Sequence, residues 1–161
     1  MKTYKAPWST SLIAISSFTT LVCAGIAIGI ILSDHGARSW VALGPVAIIV
    51  GCALFMSRGY TVTPTAILVH RLLWTTRLPL TGLQSAQFEP DAMRGSIRTF
   101  GNGGLFSFSG FFRNKALGAY RAFVTDLHRT VVLRFRSRTV VVSPSAPEEF
   151  IHDIAVTSQS A

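Results

Sequence analysis

The chain opens with two long apolar runs, after which the pattern breaks into short segments. Ala6 to Ser33 carries no charged residue, and Ser39 to Ser57 (SWVALGPVAIIVGCALFMS) is a second uncharged stretch. A bilayer core of ~30 Å needs ~20 apolar residues of helix, and both runs are long enough. They predict two spanning helices, at about residues 10–32 and 39–57. The connector, Ser33 to Arg38, is short, so the helices must run antiparallel as a hairpin occupying residues 1–58. A cleaved signal peptide also begins with basic residues, here Lys2 and Lys5. Its apolar core, however, is only ~7–15 residues long, and here a second span follows at once.

From Gly59 onward the apolar positions come in short stretches separated by turn residues, the pattern of an all-β module. Tyr60 to Thr63, Ala66 to Leu73, Trp74 to Leu80 and Leu83 to Phe88 read as strands, with Pro79 breaking the third. Tyr120 to Thr125 reads as a fifth, and Val131 to Phe135 with Thr139 to Ser143 form a hairpin around Arg136-Ser137-Arg138. About seven strands are expected. The last element is helical. Ser145-Ala146-Pro147-Glu148 has the composition of a capping box, and Phe150, Ile151 and Ile154 give one apolar face suited to covering the open end of a sheet or barrel.

The segments GNGGLFSFSGFFRNKALGAYRAFVTD (101–126), VVLRF (131–135), TVVVSP (139–144) and PEEFI (147–151) resemble the bacterial PH-domain family of small membrane-attached proteins. The similarity runs from about Tyr60 to Ile154. It is most specific in the GGLF…G…F…LG…Y run and in Ser143-Pro144 with Pro147-Glu148-Glu149-Phe150. Two preceding transmembrane helices are also similar to that family's architecture. The resemblance implies a pleckstrin-homology-like (PH-like) barrel without known catalysis, and it leaves the ligand open. The expected fold is then a two-helix transmembrane hairpin followed, over 59–161, by a mainly-β PH-like barrel of about seven strands with a C-terminal amphipathic helix.

Glycine and phenylalanine crowd Phe100 to Tyr120, which raises the question of what this backbone lies close to. A phosphate loop needs a G-x-G-x-x-G turn opening a helix. Here Gly101-Asn102-Gly103-Gly104-Leu105 is followed by Phe106 at the third glycine's place, and Lys115 lacks the Gly-Lys-Ser/Thr context of a Walker loop. Two readings remain. In one, exposed Phe106, Phe108, Phe111 or Phe112 wedge into the acyl boundary of the membrane. In the other, Phe106, Phe108 and Phe112 share one buried face of a strand, and Gly101, Gly103, Gly104 and Gly110 serve turns, bulges or close strand crossing. The alternation with Ser107 and Ser109 favours the second, which makes the stretch a signature of the fold.

Charge bears on orientation and partners. Lys2, Lys5 and Arg58 flank the apolar runs on one side against Arg38 beside Asp34 in the connector. The positive-inside rule then sets both termini in the cytoplasm of a multi-pass cell-membrane protein. Cys23 and Cys52 both fall within the spans, where helix packing rather than a disulfide is expected. Gly25 and Gly29, with Ala47 and Gly51, have the small-xxx-small spacing that lets helices approach closely, within the hairpin or in a homodimer. From Arg58 onward, twelve Lys and Arg stand against six acids. Arg134, Arg136 and Arg138 crowd one hairpin tip, and Arg113 and Lys115 form a second basic pair. Solvated edge charges are one reading; contact with anionic phospholipid, worth ~1 kcal/mol per residue, is the other.

The acids, histidines and serines form no general acid/base pair, no metal-ligand spacing and no G-x-S-x-G elbow. No catalytic residue, metal or cofactor is expected, and the basic residues lack a nucleic-acid recognition motif. The sequence therefore points to a non-catalytic membrane module whose PH-like domain binds a protein or anionic lipid at the cytoplasmic face. The alternative is an accessory subunit of a transporter or membrane-enzyme complex.

Overall fold

The computed structural model describes residues 2–33 and 39–159. The expected connector, apart from Ser33, lies outside them. Strand β1 (Lys2–Lys5) leads into helix α1 (Thr10–Ser33), then a short 3-10 turn (Ser39–Ala42) and helix α2 (Leu43–Leu54). Nine strands follow: β2 (Gly59–Val62), β3 (Ala66–His70), β4 (Thr75–Pro79), β5 (Leu83–Phe88), β6 (Ile97–Gly103), β7 (Phe108–Asn114), β8 (Gly118–Val124), β9 (Val131–Phe135) and β10 (Thr139–Val142). Helix α3 (Pro147–Gln159) comes last.

The two apolar runs fold differently from each other. α1 is 24 residues long, its most apolar 18-residue window has a mean hydropathy of 2.2, and at 1.5 Å per residue it reaches ~36 Å, enough to cross a bilayer. The second run does not form one helix over 39–57. Pro45 has no N–H to give and is tolerated only in a helix's first turn, so α2 starts at Leu43 after the 3-10 turn and spans 12 residues. α1 is thus the one described helix of full spanning length.

Residues 2–5, expected as a basic lead, form a strand instead. β1 pairs antiparallel with β2, Lys2 opposite Val62 and Lys5 opposite Gly59. The two flanks of the helical pair are therefore hydrogen-bonded neighbours, and the chain that leaves the sheet at Ala6 returns to it at Arg58. The Ala6 N–H donates to the Arg58 carbonyl at 3.2 Å. β1 is also tied to α3. Lys2 Nζ meets Glu149 at 2.9 Å and Asp153 at 3.7 Å, and the Tyr4 ring meets Phe150 edge-on at 5.3 Å.

Ten strands form two sheets among the described residues, in the orders β1-β2-β3-β4 and β5-β9-β10-β8-β7-β6. All pairings are antiparallel except β8 with β10, and these hydrogen bonds close no barrel. The count of about seven strands omitted β1, β6 and β7, although the Phe/Ser alternation marks β7 as a half-buried strand. A first core lies between the sheets, where Tyr60, Ile67, Val69, Leu78, Phe123, Leu133 and Val140 meet Phe150 and Ile154 of α3. A second covers the other face of the larger sheet, with Val124, Val132 and Val141 under Met93 and Phe112. Strands buried on both faces carry continuous apolar runs, which is why VVLRF and TVVV read so clearly as strands.

Tyr60 joins the sheets at the centre. Its ring is fully buried, its hydroxyl donates to the Phe123 carbonyl, and it accepts the Ser143 N–H at 3.2 Å. Burial pushes its pKa up from 10.0 to about 12. Tyr60→Phe is expected to lower stability by about 1–3 kcal/mol, since the Ser143 donor is left unmet. The phenol stays protonated in the fold after its unfolded counterpart has ionised. Wild-type stability should therefore fall as pH rises from about 10 toward about 12, a decline the variant lacks at this position. Thermal melting in detergent across that range measures both.

Candidate functional site

The glycine-rich stretch lies close chiefly to itself. β6 and β7 pair with Gly101 directly opposite Gly110. Both have positive φ, 111° and 144°, and a methyl on either would overlap backbone across the pair, the Ser109 carbonyl in one case and the Phe100 carbonyl in the other. Gly104 also has positive φ, and Gly103 is covered by the Arg98 side chain. β6 was missed because IRTFGNG is polar, glycine-rich and exposed along most of its length. It persists as the partner of β7, with a register shift between Arg98 and Phe100.

The phenylalanines divide. Phe108 and Phe112 share the face of β7 that packs on the second core, as the alternation predicts. Phe106 does not join them, because β7 begins only at Phe108. It sits in the preceding turn at φ 63°, its ring 6.1 Å from Trp8 and its N–H donating to Ser16 Oγ of α1 at 2.9 Å. Phe100 and Phe111 are exposed on the opposite face. Phe100 borders an apolar cleft of about 400 Å³ against Ile48, Gly51 and Phe55 of the α2 limb. The Gly/Phe hairpin is thus the seat on which the helical pair rests.

The helices show an outward apolar surface. Among α1 residues only Leu12, Ser16 and Ala27 are buried, while Phe18, Leu21 and Leu32 are each about 70% exposed. Gly25 and Gly29 face open space, with nothing within 4 Å of an added Cβ, and the same holds for Gly51. Ala47 and Gly51 line the cleft toward β6 and β7.

The basic residues singled out by the sequence are not gathered into one patch. Arg134 points to the second-core side of β9 and binds Glu89 at 2.8 Å. Arg136 lies beyond the end of β9, its N–H donating to the Gly82 carbonyl at 3.0 Å. Arg138 folds back over Phe135, 5.0 Å from the ring centroid. Arg113 and Lys115 are exposed at the far end of the β7–β8 hairpin.

A different set comes together at the other end of the first core. Arg71, at the end of β3, is only 7% exposed. Its Nη1 donates to the Phe55 carbonyl at the end of α2 at 2.8 Å, and its Nε to Thr76 at 3.2 Å. Its guanidinium carbon lies 4.9 Å from the Phe123 ring centroid, and that of Arg121 lies 4.8 Å from the same ring. Arg121 also stacks near Phe111, at 5.6 Å. Beside them the turn Leu72-Leu73-Trp74 is exposed, and Trp74 meets Phe55 edge-on at 5.1 Å. Sequence reasoning missed both arginines, although a lone arginine at an inward position of GAYRAFV was the available signal.

A family model described as Bacterial PH domain matches residues 58–158, most of the chain. The chain belongs to the bacterial PH domain family. No curated protein and no solved structure matched it.

Within this bacterial PH domain the cation cluster has an electrostatic cost. Burial, then the charge of Arg121, brings the Arg71 pKa down from 12.5 to about 10. Burial, then the charge of Arg138, lowers that of Arg121. None of the three has a carboxylate within ion-pairing distance among the described residues. Such a row is a ready acceptor for an anion.

The close crossing at Gly101 and Gly110 yields a test of the PH-domain signature. Gly110→Ala must displace backbone and is expected to cost more than about 2 kcal/mol, whereas Gly95→Ala, at φ 68° in open space, should cost about 1–2. Melting temperatures in detergent would compare them.

Proposed function

We propose that this protein is a non-catalytic integral membrane module. α1 and the shorter return limb anchor it as a hairpin with both termini in the cytoplasm, and the PH-like domain, seated on the helix ends, binds another protein or anionic lipid at the cytoplasmic face of the cell membrane. The observation that carries this reading is the exposure of α1, whose most apolar window is only 11% buried. A core helix of that hydropathy would be enclosed by protein, and a patch of this size on a monomer marks contact with something apolar. The pairing of β1 with β2 supports an uncleaved hairpin. Removal of α1 as a leader would take Tyr4 and the whole of β1 out of the sheet. The return limb, Trp40–Leu54, rises ~22 Å. Exposed Trp40 and Phe55 near its two ends suit the water–lipid interface.

A second reading, an accessory subunit of a transporter or membrane-enzyme complex, draws support from Gly25 and Gly29. Their open surface on α1 fits a closely approaching partner helix, or a second copy of the chain. Co-purification from native membranes distinguishes the two, through a stoichiometric partner or its absence.

Orientation is directly testable. A reporter active only outside the cytoplasm should stay silent when fused after Ala161 and become active when inserted in the connector between Ser33 and Ser39. The reverse pattern would refute the cytoplasmic assignment.

A further inference from the structure

We infer that Arg71, Arg121 and Arg138 form a site for a phosphate-bearing anion, supplied by a phospholipid of the leaflet at which α2 ends. The inference rests on the membrane-anchored reading for the source of the ligand, though not for the site itself. Arg71 and Arg121 flank one aromatic ring, Phe123, and Arg138 lies on the neighbouring strand's lead-in, two residues before the Val140 that pairs with Arg121. In Arg71, Nε and Nη1 are engaged, while Nη2 has no hydrogen-bond partner among the described residues. Among the described residues the Arg121 side chain makes only ring contacts. Donors of this kind match the oxygens of a phosphate, which a guanidinium engages in bidentate fashion. A purely structural arginine row would be expected to include a carboxylate, as Arg134 has Glu89 and Arg129 has Asp126 at 3.6 Å.

The surroundings favour a lipid over a free anion. Arg71 holds the last turn of α2 through the Phe55 carbonyl, so it stands at the level where the anchor leaves the bilayer. The adjoining tip, Leu72-Leu73-Trp74, presents Leu73 at 73% exposure together with half-exposed Phe55 and Phe111. Cations beside an apolar tip match a ligand that carries a phosphate on acyl chains. Soluble phosphate would leave Leu73 and Trp74 with nothing to cover them.

The test uses the full chain purified in a neutral detergent. Melting temperature is followed on addition of phosphatidylglycerol, phosphatidylcholine or inorganic phosphate, and lipid retention is read by native mass spectrometry. Phosphatidylglycerol should stabilise the wild type and be retained over phosphatidylcholine. Arg121→Gln with Arg138→Gln should weaken that retention about thirtyfold, the effect of losing two charge contacts near a lipid surface. Arg136→Gln, outside the row, should leave it unchanged. Because a glutamine pair could perturb folding, Arg121→Glu provides an independent arm. It supplies an internal carboxylate to Arg71 and Arg138, and should abolish the lipid response without lowering the melting temperature in lipid-free detergent. Equal retention by wild type and the double variant would overturn the site. Equal stabilisation by inorganic phosphate and phosphatidylglycerol would overturn the lipid source while keeping the anion. Loss of the chain from washed membranes would instead refute the anchor, an outcome separate from either.

Discussion

The pairing of β1 with β2 governs the architecture. Four residues before the first helix bond in register to four residues after the second, so whatever path the intervening chain takes must close on itself. A helix of ~36 Å that leaves the sheet has to be answered by a return limb, and both flanks of the pair end on one side. The same strand brings Tyr4 onto Phe150 and Lys2 onto Glu149, so α3, at the far end of the sequence, is locked to the helical pair through β1. A small β domain and an apolar hairpin thus become one unit rather than a domain on a tether.

From that closure follows the crowding at the helix ends. The turn before β7 reaches up to Ser16, Phe100 faces α2 across the cleft, and Arg71 is drawn under Phe55. Burying an arginine beside a second one is unfavourable, as the lowered pKa values of Arg71 and Arg121 express. The fold accepts this through three aromatic faces, Phe55, Trp74 and Phe123, around the Arg71 guanidinium, since cation–ring attraction grows as the site dries. Charge and apolar surface therefore meet where α2 joins the β domain.

Much of this was legible in the chain. The apolar runs, β2 to β5, β8 to β10 and α3 announce themselves by length, by density of Val, Ile and Phe, or by the spacing of Phe150 and Ile154, all local properties. β1 was not, because Lys-Thr-Tyr-Lys ahead of a long apolar run has the composition of a basic flank, and only its distant partner makes it a strand. β6 failed for a similar reason, its glycines being explained only by the opposing Gly110. The basic residues show the limit most clearly. Adjacency in RFRSR suggested one patch, yet Arg134 and Arg138 diverge to opposite faces of the sheet, whereas Arg71 and Arg121, fifty residues apart, converge on one ring. Convergence of that kind is a property of packing, and no local period encodes it. The resemblance carried by the Gly/Phe run did identify the family, because the close β6–β7 crossing imposes a residue pattern that local reading can recognise.

The central claim, a chain that leaves and rejoins one sheet through a membrane hairpin, can be tested in a single measurement. Thr3 and Thr61 are cross-strand partners with hydroxyls 2.9 Å apart, close enough for a disulfide once both are cysteine. In a chain carrying Thr3→Cys and Thr61→Cys, with Cys23 and Cys52 replaced by alanine and a protease site in the connector, protease is added outside intact cells stripped of their wall and then inhibited. The membranes are treated with copper–phenanthroline to oxidise the cysteine pair, since the cytoplasm keeps thiols reduced. The account predicts that the connector is cut from outside and that the two fragments migrate together until reductant is added. Fragments that separate without reductant, or a connector cut only from the cytoplasmic side, would contradict it.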